Sequence, residues 1–223
     1  MNFNNLKIGQ RLGLGFGAVL LLLLVLTGVA FNGMNAASRG QQRLVEMERR
    51  AMLADEWVAS TQLNINRVMA MAKSGNHPEV DAYFKPLIAQ TTERINVLQK
   101  DLDAAIESEQ GKALMADIAA RRKDYIAVRK TYFDTLKAAD PQAAQMLDGQ
   151  LLPAAQRYLA TMQELQKHKH ALVDTAVTQA VASLERQMAL IGGIALLALV
   201  VGVLLAWRVA RSVTVPVAGA VRA

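Results

Sequence analysis

Two apolar runs near the ends of the chain limit what it can fold into. Leu12 to Phe31 and Ala189 to Trp207 contain no charged residue. Each has roughly the 20 residues a helix needs to cross the hydrocarbon core of a bilayer. Lys7 and Arg11 precede the first run, and Arg208, Arg211 and Arg222 follow the second. Basic flanks mark the cytoplasmic side, so both termini are expected there, with residues 32–188 outside the membrane. This placement also accounts for the net charge of +6. All 19 acidic residues lie between the runs with all but five of the 25 bases, which leaves no basic surplus for a nucleic-acid backbone.

The first run reads as an uncleaved anchor. Asn35-Ala36-Ala37-Ser38 offers small residues of the kind that follow a signal peptide. The apolar core is too long for a signal peptide, however, and a second span follows. Gly13, Gly15 and Gly17 follow no strand and so form no phosphate loop; Gly13 and Gly17 suit a small-residue helix contact. The chain has no cysteine, which excludes disulfides, thiolate metal sites and cysteine nucleophiles.

Between the runs, apolar residues recur at spacings of three and four, the helical period. Leu44, Met47, Ala51, Ala54, Val58, Thr61, Ile65, Val68 and Ala72 form a first seam, which stops at Ser74-Gly75-Asn76-His77-Pro78. Phe84, Leu87, Thr91, Ile95, Leu98, Leu102 and Ala105 form a second, in which Pro86 predicts a late start or a kink. Ser108 is positioned to cap a third helix, with its seam at Leu114, Ile118, Arg121, Tyr125, Val128, Tyr132 and Leu136. Asp140-Pro141 opens a fourth, striped by Leu151, Ala155, Tyr158, Met162, Leu165 and Leu172. Asp148-Gly149 and Pro153 predict an early bend. No proline then occurs before Pro216, so the fourth helix is expected to continue into the second span.

The fold expected is all-α: an antiparallel up-down-up-down four-helix bundle flanked by two transmembrane helices. The parts are a cytoplasmic N-terminus at 1–11, spans at 12–31 and 189–207, a periplasmic bundle at 32–188, and a linker from 208 to 223.

Catalysis has no site to nominate. Asp101 with Asp103, Glu107 with Glu109, and His168 with His170 are i, i+2 pairs that face apart on a helix. The two histidines are therefore expected in solvent, and no metal or cofactor is called for.

A binding site is better supported, on the run from Arg121 to Lys130. Arg122, Tyr125 and Arg129 fall on one stripe beside the seam, two guanidinium groups and a phenol suited to a carboxylate. Lys123 and Lys130 fall toward solvent. Register supplies neighbours. A turn centred near residue 109 or 110 pairs numbers summing to about 219, which puts Arg129 near Gln90 and Thr91. The same construction around residue 141 brings Arg157 and Tyr158 to the height of Tyr125, and around residue 77 it brings Asn64 and Arg67 to that of Thr91. The plainer reading is that these arginines are a solvated face paired with acids such as Asp124.

Several motifs resemble those of a known family. Leu6-Lys7-Ile8-Gly9-Gln10-Arg11-Leu12 with Gly15-Phe16-Gly17, and Ser108-Glu109-Gln110-Gly111-Lys112-Ala113-Leu114, are similar to the opening and the second loop of transmembrane methyl-accepting chemotaxis proteins with a four-helix-bundle sensory domain. Ser212-Val213-Thr214-Val215-Pro216-Val217 is similar to the start of a HAMP linker, although Val215 and Val217 depart from its pattern.

The resemblance implies a bacterial inner-membrane receptor, homodimeric, that binds a small ligand through arginines at the end of the bundle far from the membrane. The family's best-known pocket takes its arginines mainly from the first helix, whose distal half here holds only Arg67. It further implies a small piston-like shift of the second span, a HAMP domain and methylated hairpin beyond residue 223, and a kinase-coupling assembly as partner. The same sensory bundle fronts histidine kinases and cyclases. The expected ligand is a small organic anion, a di- or tricarboxylate; a bundle that docks a periplasmic protein, or only dimerises, is the other reading.

Overall fold

The computed structural model describes residues 8–75 and 77–221. Lys7, Asn76 and Arg222, used above, lie outside them. The described residues are helical with short connections, in the order α1 (Ile8–Lys73), α2 (Pro78–Ala104), α3 (Glu109–Lys137), α4 (Gln142–Met146), a π-helical turn (Leu147–Leu151) and α5 (Leu152–Val221).

Local chemistry sets the ends of these elements. α1 stops where Gly75 takes a left-handed φ of 68°, a conformation open to glycine at little cost. Ser74 closes the same turn, its hydroxyl donating to Met71 O at 2.7 Å. Pro78 begins α2, where the missing N–H costs nothing. The helix then runs through Pro86 instead of starting there. Ser108 Oγ accepts from the Gly111 N–H at 3.1 Å, the cap expected for α3. Gly111 cannot be replaced freely, since a Cβ there would meet Ile106 Cγ2 at 2.7 Å. Asp140 Oδ1 accepts from the Gln142 N–H at 2.9 Å and opens α4. The bend expected around Asp148-Gly149 is the π-helical turn, closed by Leu152 N–H donating to Leu147 O, five residues back. Pro153 has no N–H to donate and follows directly.

The chain divides into two compact units, one of residues 43–176 and one of residues 1–42 with 177–223. The first is the four-helix bundle, made by the second half of α1, by α2 and α3, and by the first part of α5. Trp57, Leu98, Leu102, Ile118, Leu151, Met162 and Leu165 are its fully buried large side chains. Each leucine so buried contributes about 1.5–3 kcal/mol. Neighbouring helices are tied by polar bonds as well. Asn64 donates to Thr92 Oγ1 at 3.0 Å, and Gln166 donates to Asp55 at 2.9 Å. Tyr132 OH donates to Ala72 O at 3.1 Å, a carbonyl at the end of α1 that also accepts from the Gly75 N–H at 3.3 Å.

In the other unit the apolar runs are two helices long and apolar enough to cross a membrane, with their large side chains, Leu24 and Leu196 among them, exposed. The expected small-residue contact shifts by two positions: Gly15 is buried, whereas Gly13 and Gly17 are exposed. Trp207, at the end of the second run, is overlaid by the guanidinium of Arg211 at 5.4 Å.

Candidate functional site

The bundle core has a polar region at mid-height. α1 contributes Thr61 and Asn64, one turn apart on its buried face. α2 contributes Thr92 and Ile95, α3 contributes Arg122, Tyr125 and Arg129, and α5 contributes Tyr158. Together they line a cavity of ≈ 60 Å³. The antiparallel register argued from the turns brings them to this height. Arg122 donates to Asn96 Oδ1 at 2.6 Å and to Gln99 Oε1, and the rings of Tyr125 and Tyr158 stack with centroids 5.9 Å apart.

The basic run of α3 divides in two. Arg121 Nε lies 3.3 Å from Asp117 Oδ1, and Lys130 Nζ 2.6 Å from Asp134 Oδ2, ordinary i, i+4 pairs on the surface; Lys123 is exposed. Arg122 and Arg129 have no carboxylate partner among the described residues, and Asp124 pairs with neither. Arg122 is held by neutral side-chain carbonyls, and Arg129 lies with Cζ 5.7 Å from the Tyr125 ring centre.

Two hydroxyls at the cavity, Tyr125 OH and Thr61 Oγ1, are buried without a well-formed hydrogen bond, with Arg129 beside the first and the Tyr158 phenol beside the second. Burial pushes the Tyr125 phenol up to about 12, against the pull of the Arg129 charge. Arg129 stands close enough to act on the phenol by its charge and by a weak hydrogen bond, although the contact falls short of good hydrogen-bond geometry. Burial likewise raises the Tyr158 phenol, opposed by the charge of Arg122. A buried hydroxyl without a well-formed hydrogen bond is uncommon, and two at one cavity next to two guanidinium groups with no carboxylate partner form a set of donors suited to an anion.

Of the residues singled out from sequence, Asn64, Arg122, Tyr125, Arg129 and Tyr158 line this cavity. Arg67 and Thr91 do not. Arg67 donates to Thr91 Oγ1 at 2.6 Å and to Leu87 O at 2.9 Å, and the Thr91 hydroxyl itself donates to Leu87 O. They clamp α1 to α2, and Thr92, one residue on, takes the cavity position expected of Thr91. Arg157 is exposed. Thr61 was read as a seam residue only; the signal for it is the one used for Thr91, a hydroxyl interrupting an apolar stripe.

The histidines differ: His170 is exposed as expected, with Nε2 2.8 Å from Asp55 Oδ1, whereas His168 is half-buried, its Nε2 buried without a partner. Among the described residues no group of three His, Asp or Glu is placed to hold a metal ion.

No curated protein matches the chain. A family model described as a four helix bundle sensory module for signal transduction matches residues 5–184, a stretch that includes the whole bundle and the first apolar run. The helix order, the buried seams and this match agree, and the chain belongs to that family of sensory modules.

Proposed function

We propose that the chain is the sensory part of a transmembrane chemoreceptor that binds a small organic anion, a di- or tricarboxylate, in the periplasm. It is not an enzyme and works by binding alone. The observation that carries this is the pairing of two guanidinium groups lacking a carboxylate among the described residues, Arg122 and Arg129, with two buried hydroxyls lacking a well-formed hydrogen bond, Tyr125 and Thr61, at one cavity. Arginine presents planar donors that match a carboxylate, and the hydroxyls complete its coordination. At ≈ 60 Å³, against roughly 30 Å³ for a liquid water, the cavity admits one carboxylate group and leaves the rest of the ligand outside it.

The two apolar helices, each preceded or followed by arginines, support an inner-membrane location with the bundle outside. Val45, Met52 and Leu63 lie exposed on α1 and support a homodimer along that helix. The signal passes along α5 toward a HAMP domain and a kinase-coupling assembly beyond residue 223. The test is titration calorimetry of the full chain in lipid nanodiscs with succinate, malate and citrate. Binding in the wild type, weakened about tenfold or more in Arg129→Ala, is expected. Heat from none of the three acids, or the same affinity in Arg129→Ala, overturns the reading.

A further inference from the structure

A second charged cavity lies in the bundle, at the turn that joins α2 to α3. Met47 and Arg50 of α1, Glu107 and Ser108 of the turn, and Lys169 of α5 line it, and its volume is ≈ 170 Å³. Lys169 stands roughly 16 Å along α5 from Tyr158, so this cavity is separate from the one at Arg122 and Arg129.

Lys169 is the residue that calls for a ligand. It is 9% exposed, and among the described residues no hydrogen bond or ion pair holds its ammonium. Burial, and after it the charge of Arg50, push the ammonium below its ordinary range, against the pull of Glu107. A lysine that only packs its stem carries its charge out to water, whereas this one lines a cavity beside a second cation. Arg50 is itself anchored, with Nε 3.0 Å from Glu46 Oε1 and Nη1 donating to Ala105 O at 2.9 Å. These bonds use two of its N–H groups and leave the others for a ligand. Glu107, the acid that lines the cavity, is 88% exposed and lies 3.8 Å from Arg50 Nη1. Two cations with one loosely placed acid repel each other, and an anion between them removes that cost.

Ser108 adds a third donor. Its Oγ accepts from the Gly111 N–H, which leaves the hydroxyl hydrogen free to donate. It also caps α3, so the positive end of that helix faces the same place. The three donors come from three different elements. A planar carboxylate suits the fork of one arginine, whereas a tetrahedral phosphate presents oxygens on every side and matches an arginine, a lysine and a helix N-terminus together. We propose that this cavity binds a phosphate group, held by Arg50, Lys169 and the Ser108 hydroxyl. Bound there, the group bridges α1 to α5, so sliding of one helix along the other costs its bonds, and it acts as a second input on the bundle. The inference stands apart from the anion reading at Arg122 and Arg129.

Thermal unfolding of the full chain in dodecyl maltoside, a phosphate-free detergent, tests it in two arms. Inorganic phosphate replaces chloride at constant ionic strength in one, and phosphatidylglycerol is added to the micelles in the other. A rise of a few degrees in the midpoint is expected for a ligand at about ten times its Kd or more. A rise with inorganic phosphate identifies a free anion, a rise with phosphatidylglycerol alone identifies a lipid headgroup, and no rise in either arm overturns the proposal. In Lys169→Met, which keeps the stem and removes the charge, the rise is expected to vanish, with a midpoint in the absence of phosphate no lower than that of the wild type. In Arg129→Ala the rise is expected to persist. A rise kept in Lys169→Met, or lost in Arg129→Ala, places the phosphate elsewhere and overturns the site. A lowered midpoint of Lys169→Met without phosphate overturns it too, because the ammonium then has a partner in the fold.

Discussion

Tyr125→Phe separates a ligand site from a satisfied core. The substitution removes one oxygen and keeps the ring, so the stack on Tyr158 at 5.9 Å is retained. That oxygen is buried without a well-formed hydrogen bond. Burying such a group costs about 1–3 kcal/mol, so the variant is expected to be as stable as the wild type or more stable by about 1 kcal/mol. Ligand affinity should move the opposite way, falling about tenfold as a donor to the bound carboxylate is lost. Alkaline pH gives an independent reading. The Tyr125 phenol stands at about 12 in the folded chain against 10.0 for a free tyrosine, so the unfolded chain loses this proton first as pH rises. The contribution of Tyr125 is therefore constant below pH 10 and declines between pH 10 and 12, by up to about 3 kcal/mol. In Tyr125→Phe this decline is absent. The lysines and other tyrosines titrate in both proteins, so the difference between the two curves isolates Tyr125. Trp57, fully buried in the bundle, reports its unfolding by fluorescence in urea and mild detergent, with Trp207→Phe as the background. Destabilisation beyond about 1 kcal/mol with unchanged affinity refutes the reasoning, because the hydroxyl then has a structural partner.

Glu46→Gln is expected to flatten the acid limb of stability. Bonds from Arg49 and then Arg50 hold the Glu46 carboxyl at about 2, below its ordinary 4.5, so its contribution is present above pH 4.5 and is lost as pH falls toward 2. The group is exposed, and the difference between wild type and variant in acid denaturation should shrink in 1 M salt. Ala139 has a left-handed φ of 55°, a conformation that costs a residue with a Cβ about 1 kcal/mol. Ala139→Gly is therefore expected to raise the midpoint of thermal unfolding of the bundle by a few degrees, and a lowered midpoint counts against that backbone conformation.

The helices were legible because the core repeats with the helical period. Leu98, Leu102, Ile118 and Leu165, all seam residues, are fully buried. Trp57 was missed because it lies beside the seam of α1, where its size carries it into the core. Register proved the more productive argument, since an antiparallel pair joined by a short turn has one height relation, and Tyr125 meets Tyr158 as that relation requires. What register cannot supply is the rotation of a helix about its axis. Thr91 and Thr92 share a height yet face different neighbours, one Arg67 and the other Asn64. A hundred degrees of turn per residue separates a clamp from a cavity wall.

The unpaired atoms bear on how such a bundle can respond to a ligand. A ligand shifts a conformational equilibrium only by its difference in affinity for the two states. Thr61 and Tyr125 each bury a hydroxyl without a well-formed hydrogen bond, and an unsatisfied group of that kind costs about 1–3 kcal/mol. Any arrangement that admits water to them relieves that cost, so the empty bundle is biased toward looser packing of α1, α2 and α3 at this height. A carboxylate against Tyr125 and Thr61 removes the same cost while keeping the helices closed. The differential affinity thus arises from the unsatisfied groups more than from the arginines, whose charge attracts the anion in either state. On this argument Tyr125→Phe with Thr61→Val should leave a bundle that is closed without ligand, and a receptor that signals constantly in the bound sense.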